Sequence, residues 1–145
     1  MQATLIVLHV LGATVWTGGH LILTIGFLPP ALRTRNPQII QDFESRFERI
    51  GLPALALQFI TGVILCLPYL PDPDSETQVG GHVLGLLGSK LILLFLTIGL
   101  ALHARLRILP NLAPDRLRLL AAHVIAVTVL SVLFVVFGVG LQLAG

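Results

Sequence analysis

The stretch LIVLHVLGATVWTGGHLILTIGFL, residues 5–28, decides the fold class of this chain. A helix that crosses a bilayer needs roughly 20 mainly apolar residues. This run has that length, and its only ionisable side chains are His9 and His20. Runs of similar length and apolar character occur at Ile50–Leu67, Val83–His103 and Leu117–Leu141. The sequence therefore predicts an all-α integral membrane protein that forms a single domain over residues 1–145.

Composition agrees with this class and limits the chemistry. Apolar residues make up 55% of the chain and charged residues 11%, a profile typical of a membrane bundle. The first run lacks a basic start and is too long for a signal peptide, so we expect a retained helix. Cys66 is the only cysteine and Met1 the only methionine, which excludes an intrachain disulfide, Cys-rich metal motifs and a copper(I) relay of sulfur ligands. A metal would be held mainly by imidazole.

The distribution of charge predicts the orientation. The loop between the second and third runs carries Asp72, Asp74 and Glu76 but no lysine or arginine. The positive-inside rule therefore places the other two loops in the cytoplasm and both termini outside, in the periplasm. Those two loops hold every arginine: Arg33, Arg35, Arg46, Arg49, Arg105, Arg107, Arg116 and Arg118. The net charge of +2 reflects topology and contact with lipid, and it does not indicate a nucleic-acid partner.

Prolines predict where the helices begin and end. Pro29-Pro30 is expected to stop the first helix, and Pro110 the third. Asn36-Pro37 predicts a helix start, with Asn as the N-cap, and Pro114-Asp115 predicts the start of the fourth helix. A cytoplasmic amphipathic extension should run into the second span over Pro37–Leu67. Short connections between successive spans favour an antiparallel four-transmembrane-helix bundle.

The ionisable side chains inside the spans are the candidate functional residues, because such groups are expensive in a bilayer and mark sites. Position along each span gives an approximate depth, since a helix rises about 1.5 Å per residue. Trp16 shares one face of the first helix with two of these histidines. The depths predict an inner layer of His20, His103 and His123, and an outer layer of His9 and Lys90, with His82 at the outer boundary.

The inner layer is suited to two kinds of cofactor. Two imidazoles at one depth on facing helices suit axial ligation of haem iron, and three imidazoles suit copper. Arg46 and Arg49 lie on one helical face and are placed to pair with haem propionates. No CxxCH motif is present, so a covalent c-type haem is excluded. Spacing alone leaves haem and copper open.

Four segments carry a family resemblance that covers nearly the whole chain. They are LHVLGATVWTGGHLIL (8–23), FERIGLPALALQFITGVIL (47–65), SKLILLFLTIGLALHARLRILP (89–110) and RLLAAHVIAVTVLSVLFVVFGVG (118–140). Together they resemble small CopD-type proteins, the copper-resistance D family of bacterial inner membranes. More distantly the chain is similar to HemJ, the four-helix protoporphyrinogen oxidase that binds haem b. That likeness implies roles for His9 and Lys90, whereas His20 has no counterpart in HemJ.

Residues and resemblance together predict a bacterial inner-membrane redox protein, an oxidoreductase that binds haem b, with copper as a further candidate. It would pass electrons between a donor and an acceptor, for example a quinone or a periplasmic protein. Alternatives are a copper permease with a histidine path, a protoporphyrinogen-oxidase-like enzyme, and an assembly subunit or homo-oligomer. In the assignment of roles, His9 and Lys90 are catalytic and His9 is also a metal ligand. The cofactor ligands and contacts are His20, His103, His123, Trp16, Arg46 and Arg49.

Overall fold

The computed structural model describes residues 2–69 and 81–144, apart from the side chains at positions 82, 83, 141, 142 and 144. Within those residues the chain is helical, with no β-strand. Two π-helical turns interrupt the helices, at Leu23–Phe27 and Ala104–Ile108, and 3₁₀ turns occupy Leu67–Tyr69 and Leu109–Asn111. The α-helices are α1 (Gln2–Ile22), α2 (Leu28–Thr34), α3 (Gln38–Cys66), α4 (Gly81–His103) and α5 (Leu117–Ala144).

Four helical spans have the length and apolar character needed to cross a membrane: Gln2–Thr34, Gln38–Tyr69, Leu84–Asn111 and Leu117–Gly140. Large apolar side chains point outward along them; Ile25 is 72% exposed and Phe95 70%. In water such exposure would be unfavourable, whereas in lipid it costs nothing. The prediction of a four-span, all-α membrane protein is confirmed. The orientation in the membrane remains a prediction, and the acidic loop at 72–76 lies outside the described residues.

The first span differs from its predicted end. The prolines at 29 and 30 do not stop it, because α2 continues as far as Thr34. The π-helical turn at Leu23–Phe27 directly precedes them, so both prolines fall in the first positions of a new α-helical segment. At such positions the N–H that proline lacks would have no acceptor within the helix, so no helical hydrogen bond is lost. The helix ends instead at Arg35, which has left-handed backbone angles, with φ of 50°.

The start of α3 follows the prediction. The Gln38 N–H donates to Asn36 Oδ1 at 3.0 Å, so Asn36 caps the helix. The amphipathic extension and the second span then form one continuous helix, with Pro53 inside it. Pro110 lies in the 3₁₀ turn that ends the third span, as expected. The fourth helix begins at Leu117, slightly later than predicted, because residues 114–116 form a turn.

Packing arranges the long helices in the order α3, α1, α5, α4, with α1 between α3 and α5 and α5 between α1 and α4. Gly12 allows the close approach of α1 to α3, since a Cβ there would lie 2.8 Å from the Ala54 carbonyl oxygen. The end of the bundle that carries the arginines is closed by an apolar core drawn from all four spans. Its buried members are Leu23, Leu28, Ala31, Ile40, Ile108, Leu117, Leu120, Ala121 and Val124.

Candidate functional site

A cavity of about 90 Å³ lies next to the apolar core at the arginine-rich end, and residues from all four spans line it. We call it the inner cavity. Its polar and aromatic lining includes His20, His123, Trp16, Phe47, Glu44, Glu48 and Arg105. Two of the three histidines predicted for the inner layer thus face one space.

His20 is held in a fixed orientation by its own helix. Its Nδ1 lies 2.9 Å from the Trp16 carbonyl oxygen, one turn earlier. A carbonyl only accepts, so Nδ1 carries the hydrogen and the neutral ring keeps its lone pair on Nε2. The Trp16 ring lies against the imidazole with centroids 4.4 Å apart, and the Phe47 ring meets it edge-on at 5.8 Å. Metal-binding histidines are commonly oriented in this way, through Nδ1–H and a backbone carbonyl.

His123 and His103 form a direct pair across α4 and α5. The Nδ1 of His123 lies 2.9 Å from the Leu119 carbonyl oxygen and is therefore the donor there. Its Nε2 then accepts from Nδ1–H of His103, at 2.8 Å, and the two rings stack with centroids 4.9 Å apart. His103 itself is exposed and does not line the inner cavity. The structure thus joins His103 to the site through His123.

The polar wall of the inner cavity contains charges of both signs. Arg105 forms an ion pair with Glu48, which bridges α3 and the π-helical turn after α4. Glu44 lies one turn before Glu48 and lines the same wall. The lining of the inner cavity thus combines two imidazoles, two carboxylates and one guanidinium.

The π-helical turns flank the histidine sites. One begins three residues after His20 and the other directly after His103. Beside the first, the Thr24 and Thr128 hydroxyls are 2.7 Å apart, and Thr128 Oγ1 also lies 3.3 Å from the His20 carbonyl oxygen. These contacts tie the His20 segment to α5. Single π-helical turns within α-helices occur frequently at functional sites.

The outer layer is less closely assembled. Nδ1 of His9 lies 2.9 Å from the Gln58 carbonyl oxygen and 3.1 Å from Thr61 Oγ1, so this ring joins α1 to α3. Lys90 is half-buried, and its Nζ lies 3.8 Å from the position that a Cβ on Gly138 would occupy. The lysine is therefore directed at α5. No hydrogen bond links it to His9.

The other predicted contacts divide into two groups. Trp16 is buried and lines the inner cavity. Arg46 and Arg49 are exposed and lie outside its lining, where Arg105 is found instead. His82 falls among the side chains outside the described set. Sequence reasoning missed Phe47, Glu44, Glu48 and Thr128; the i, i+4 spacing of the two acids in the amphipathic extension was the available signal.

The size of the inner cavity suits an ion rather than a haem. Imidazole nitrogen is a good ligand for copper, and about 90 Å³ is room for an ion with a few waters, at about 30 Å³ each. Pockets for drug-sized ligands run to about 300–1,000 Å³, and a haem is at least that large. No group of three His, Cys, Asp or Glu side chains in the described part of the chain is close enough to hold a metal.

Comparison with known proteins identifies a family. A family model described as copper resistance protein D matches residues 41–141, more than two thirds of the chain. The matched range contains His103, His123 and Lys90 and begins after His9 and His20. No curated protein and no solved structure matches the chain.

Proposed function

The chain belongs to the copper resistance protein D family, and on that premise we propose that it binds copper inside the membrane through the histidines of its inner cavity. The observation that carries this proposal is the contact between His103 and His123, with His20 facing the same cavity from α1. Copper takes imidazole ligands well, and the chain offers almost no sulfur. Imidazole nitrogen is thus the soft or borderline donor that the chain offers in several copies.

The hydrogen bonds around these rings support the assignment. His20 and His123 each donate Nδ1–H to a carbonyl of their own helix, which leaves Nε2 as the coordinating atom. His103 donates its Nδ1–H to the Nε2 of His123. Copper and this hydrogen bond compete for one lone pair, so metal binding requires that His103 turn away or lose the shared hydrogen. Copper affinity should therefore fall with acidity.

The position of the inner cavity along the bundle determines on which side of the membrane copper would bind. If the arginine-rich loops lie in the cytoplasm, as the positive-inside rule indicates, the inner cavity is at the cytoplasmic end of the bundle. We further propose that the protein resides in a bacterial inner membrane with periplasmic termini. Copper would then be the cargo or ligand of a resistance protein, met at the inner side of the membrane. A histidine path across the bilayer would have to continue through His9.

The outer pair of His9 and Lys90 is the second part of the proposal. The backbone carbonyl of Gln58 accepts from His9, and its side-chain Oε1 is buried without a hydrogen-bond partner among the described residues. Buried acceptors are normally paired, so this orphan oxygen supports a polar ligand at that level. We assign Lys90 to an anionic or electron-rich group and His9 to proton transfer or metal binding. A quinone or a tetrapyrrole substrate, as in a protoporphyrinogen-oxidase-like enzyme, would use the same two side chains.

Haem b, and electron transfer through it, is the competing assignment. It is favoured by the anchoring of His20 and His123, which suits axial ligands as well as copper ligands. It requires the spans to separate, because the inner cavity is too small for a macrocycle. The optical spectrum separates the two assignments, since a haem protein shows a Soret band that shifts on reduction.

The test is the cofactor content of the purified protein and of three variants. We expect a protein without a Soret band that retains copper after dialysis, and at least a tenfold loss of copper affinity in His123→Ala and His20→Ala. His9→Ala is the matched control for the inner site: it removes an imidazole about three turns from His20 and should leave the copper affinity of that site unchanged, so any copper lost in this variant belongs to the outer site. Full copper binding in both His123→Ala and His20→Ala would refute copper binding at the inner cavity. A Soret band that is present in the native protein and absent from these two variants would favour haem.

A further inference from the structure

A second concave surface lies beside the inner cavity, where α3 meets the end of the first span. This groove has a volume of about 380 Å³ and is lined by Phe27, Asp42, Phe43, Arg46, Phe47 and Ile50. Its volume falls in the range of small-molecule sites, about 300–1,000 Å³. Neither copper binding nor the outer pair uses it.

Two opposite charges in this groove are left unpaired with each other. Asp42 and Arg46 are four residues apart on one helical face, a spacing at which such side chains often form an ion pair. Here they do not come within salt-bridge distance. Asp42 Oδ1 instead accepts a hydrogen bond from Gln38 Nε2 at 2.8 Å. The groove therefore presents one negative and one positive group, side by side, to whatever fills it.

The rest of the lining is aromatic and apolar. Phe43 lies between Phe27 and Phe47, with ring centroids 4.8 and 5.4 Å away. Ile50, 61% exposed, marks the end of the groove from which the long apolar run of the second span begins. Along α3, Asp42 and Arg46 thus precede Ile50, while Phe43 and Phe47 line the groove beside them. Charged groups followed by the apolar start of a span match the boundary between the headgroups and the acyl chains of a bilayer.

We propose that the groove binds the head of a zwitterionic phospholipid, with its ammonium on Asp42, its phosphate on Arg46 and its upper acyl chain on Phe27, Phe43 and Ile50. Charge-assisted hydrogen bonds to both groups are the strong ones, and an anionic lipid would leave Asp42 facing negative charge. The site shares Phe47 with the inner cavity, so an occupied groove would hold that ring against His20. The proposal does not depend on copper binding.

Native mass spectrometry of the full-length protein, titrated with dioleoyl phosphatidylethanolamine or dioleoyl phosphatidylglycerol, tests it. We expect tighter binding of the ethanolamine lipid. Arg46→Gln should weaken both lipids, by roughly tenfold for one lost charge-assisted contact. Asp42→Asn should weaken only the ethanolamine lipid. Arg49→Gln is the control, because this exposed arginine lies outside the groove.

Equal or tighter binding of phosphatidylglycerol by the native protein would overturn the proposal, since it would indicate general attraction to anionic lipid. Unchanged affinities in both groove variants would also overturn it. Helix content by circular dichroism shows whether each variant is folded. As a second readout, phosphatidylethanolamine brominated in its acyl chains should quench the single tryptophan, Trp16, whose ring lies 6.5 Å from that of Phe47. Arg46→Gln should remove that quenching.

Discussion

Replacing Gly19 by alanine tests whether the wall of the inner cavity is as tightly built as the structure indicates. A Cβ at this position would lie 2.1 Å from two ring atoms of Phe47, Cε2 and Cζ. Ordinary contact begins near 3.4 Å, so those atoms would have to retreat by about 1.3 Å, the difference between the two distances. On the other side of the ring, a Cβ added to Gly51 would lie 2.7 Å from Cε1. The ring therefore fits between α1 and α3 only because both facing positions are glycine.

Overpacking of this kind costs about 1–3 kcal/mol. Gly18→Ala is a matched control, since a Cβ on Gly18 meets nothing within 4 Å. There the gain in helix propensity, up to about 1 kcal/mol, should appear alone. We thus expect Gly19→Ala to be less stable than Gly18→Ala by about 2–4 kcal/mol. The displaced Phe47 ring should also change the emission of Trp16 and weaken copper binding.

Unfolding in mixed micelles, followed by circular dichroism, measures the stability difference, and fluorescence follows Trp16. The double variant Gly19→Ala, Phe47→Leu should recover part of the lost stability, because the shorter side chain removes the clash. Equal stability and unchanged emission in Gly18→Ala and Gly19→Ala would refute the packing described for Phe47.

Three further predictions concern the contacts and the topology. Thr128→Val removes the hydroxyl that links α5 to the first span and should lower the free energy of unfolding by about 1 kcal/mol. Thr128→Ser keeps the hydroxyl and should retain most of that stability; an equal loss in both variants would assign the effect to the methyl group instead. Single cysteines at Thr34 and Ser75, in a cysteine-free background, should differ in labelling by an impermeant thiol reagent on intact cells, and labelling at Thr34 with protection at Ser75 would reverse the orientation. Lys90→Met should abolish binding of the outer ligand, detected with a quinone analogue, and leave copper at the inner site; wild-type binding of both would leave Lys90 without a role.

The fold was predictable from the sequence because hydropathy is averaged over a whole apolar segment and does not depend on any single residue. Four apolar segments of spanning length leave few alternatives in a bilayer, where backbone groups must bond within their own helix. The first span was the exception. Its prolines predict a stop, and the π-helical turn that absorbs them involves Leu23–Phe27, residues without a distinctive composition. Such a turn depends on tertiary contacts of the segment, which a local pattern does not encode.

The site was only partly predictable. Depth along the helices placed His20 and His123 at one level, and both line the inner cavity. The direction in which each side chain points around its helix axis was harder to predict. Small errors in the assumed helical repeat, and the two π-helical turns, change which face a residue occupies. Arg105 therefore reaches the cavity, whereas Arg46 lines the groove beside it. The direct bond between His103 and His123 depends on the rotamers of both rings, and sequence spacing does not determine those.

The most direct test of the central claim is electron paramagnetic resonance of the protein loaded with one equivalent of Cu(II). If the inner cavity binds copper, we expect hyperfine coupling to imidazole nitrogen. Fewer nitrogens should be coupled in His123→Gln and His20→Gln, and their number should not change in His9→Gln. A spectrum of oxygen ligands alone, or nitrogen coupling that survives unaltered in both inner variants, would contradict copper binding by the inner cavity.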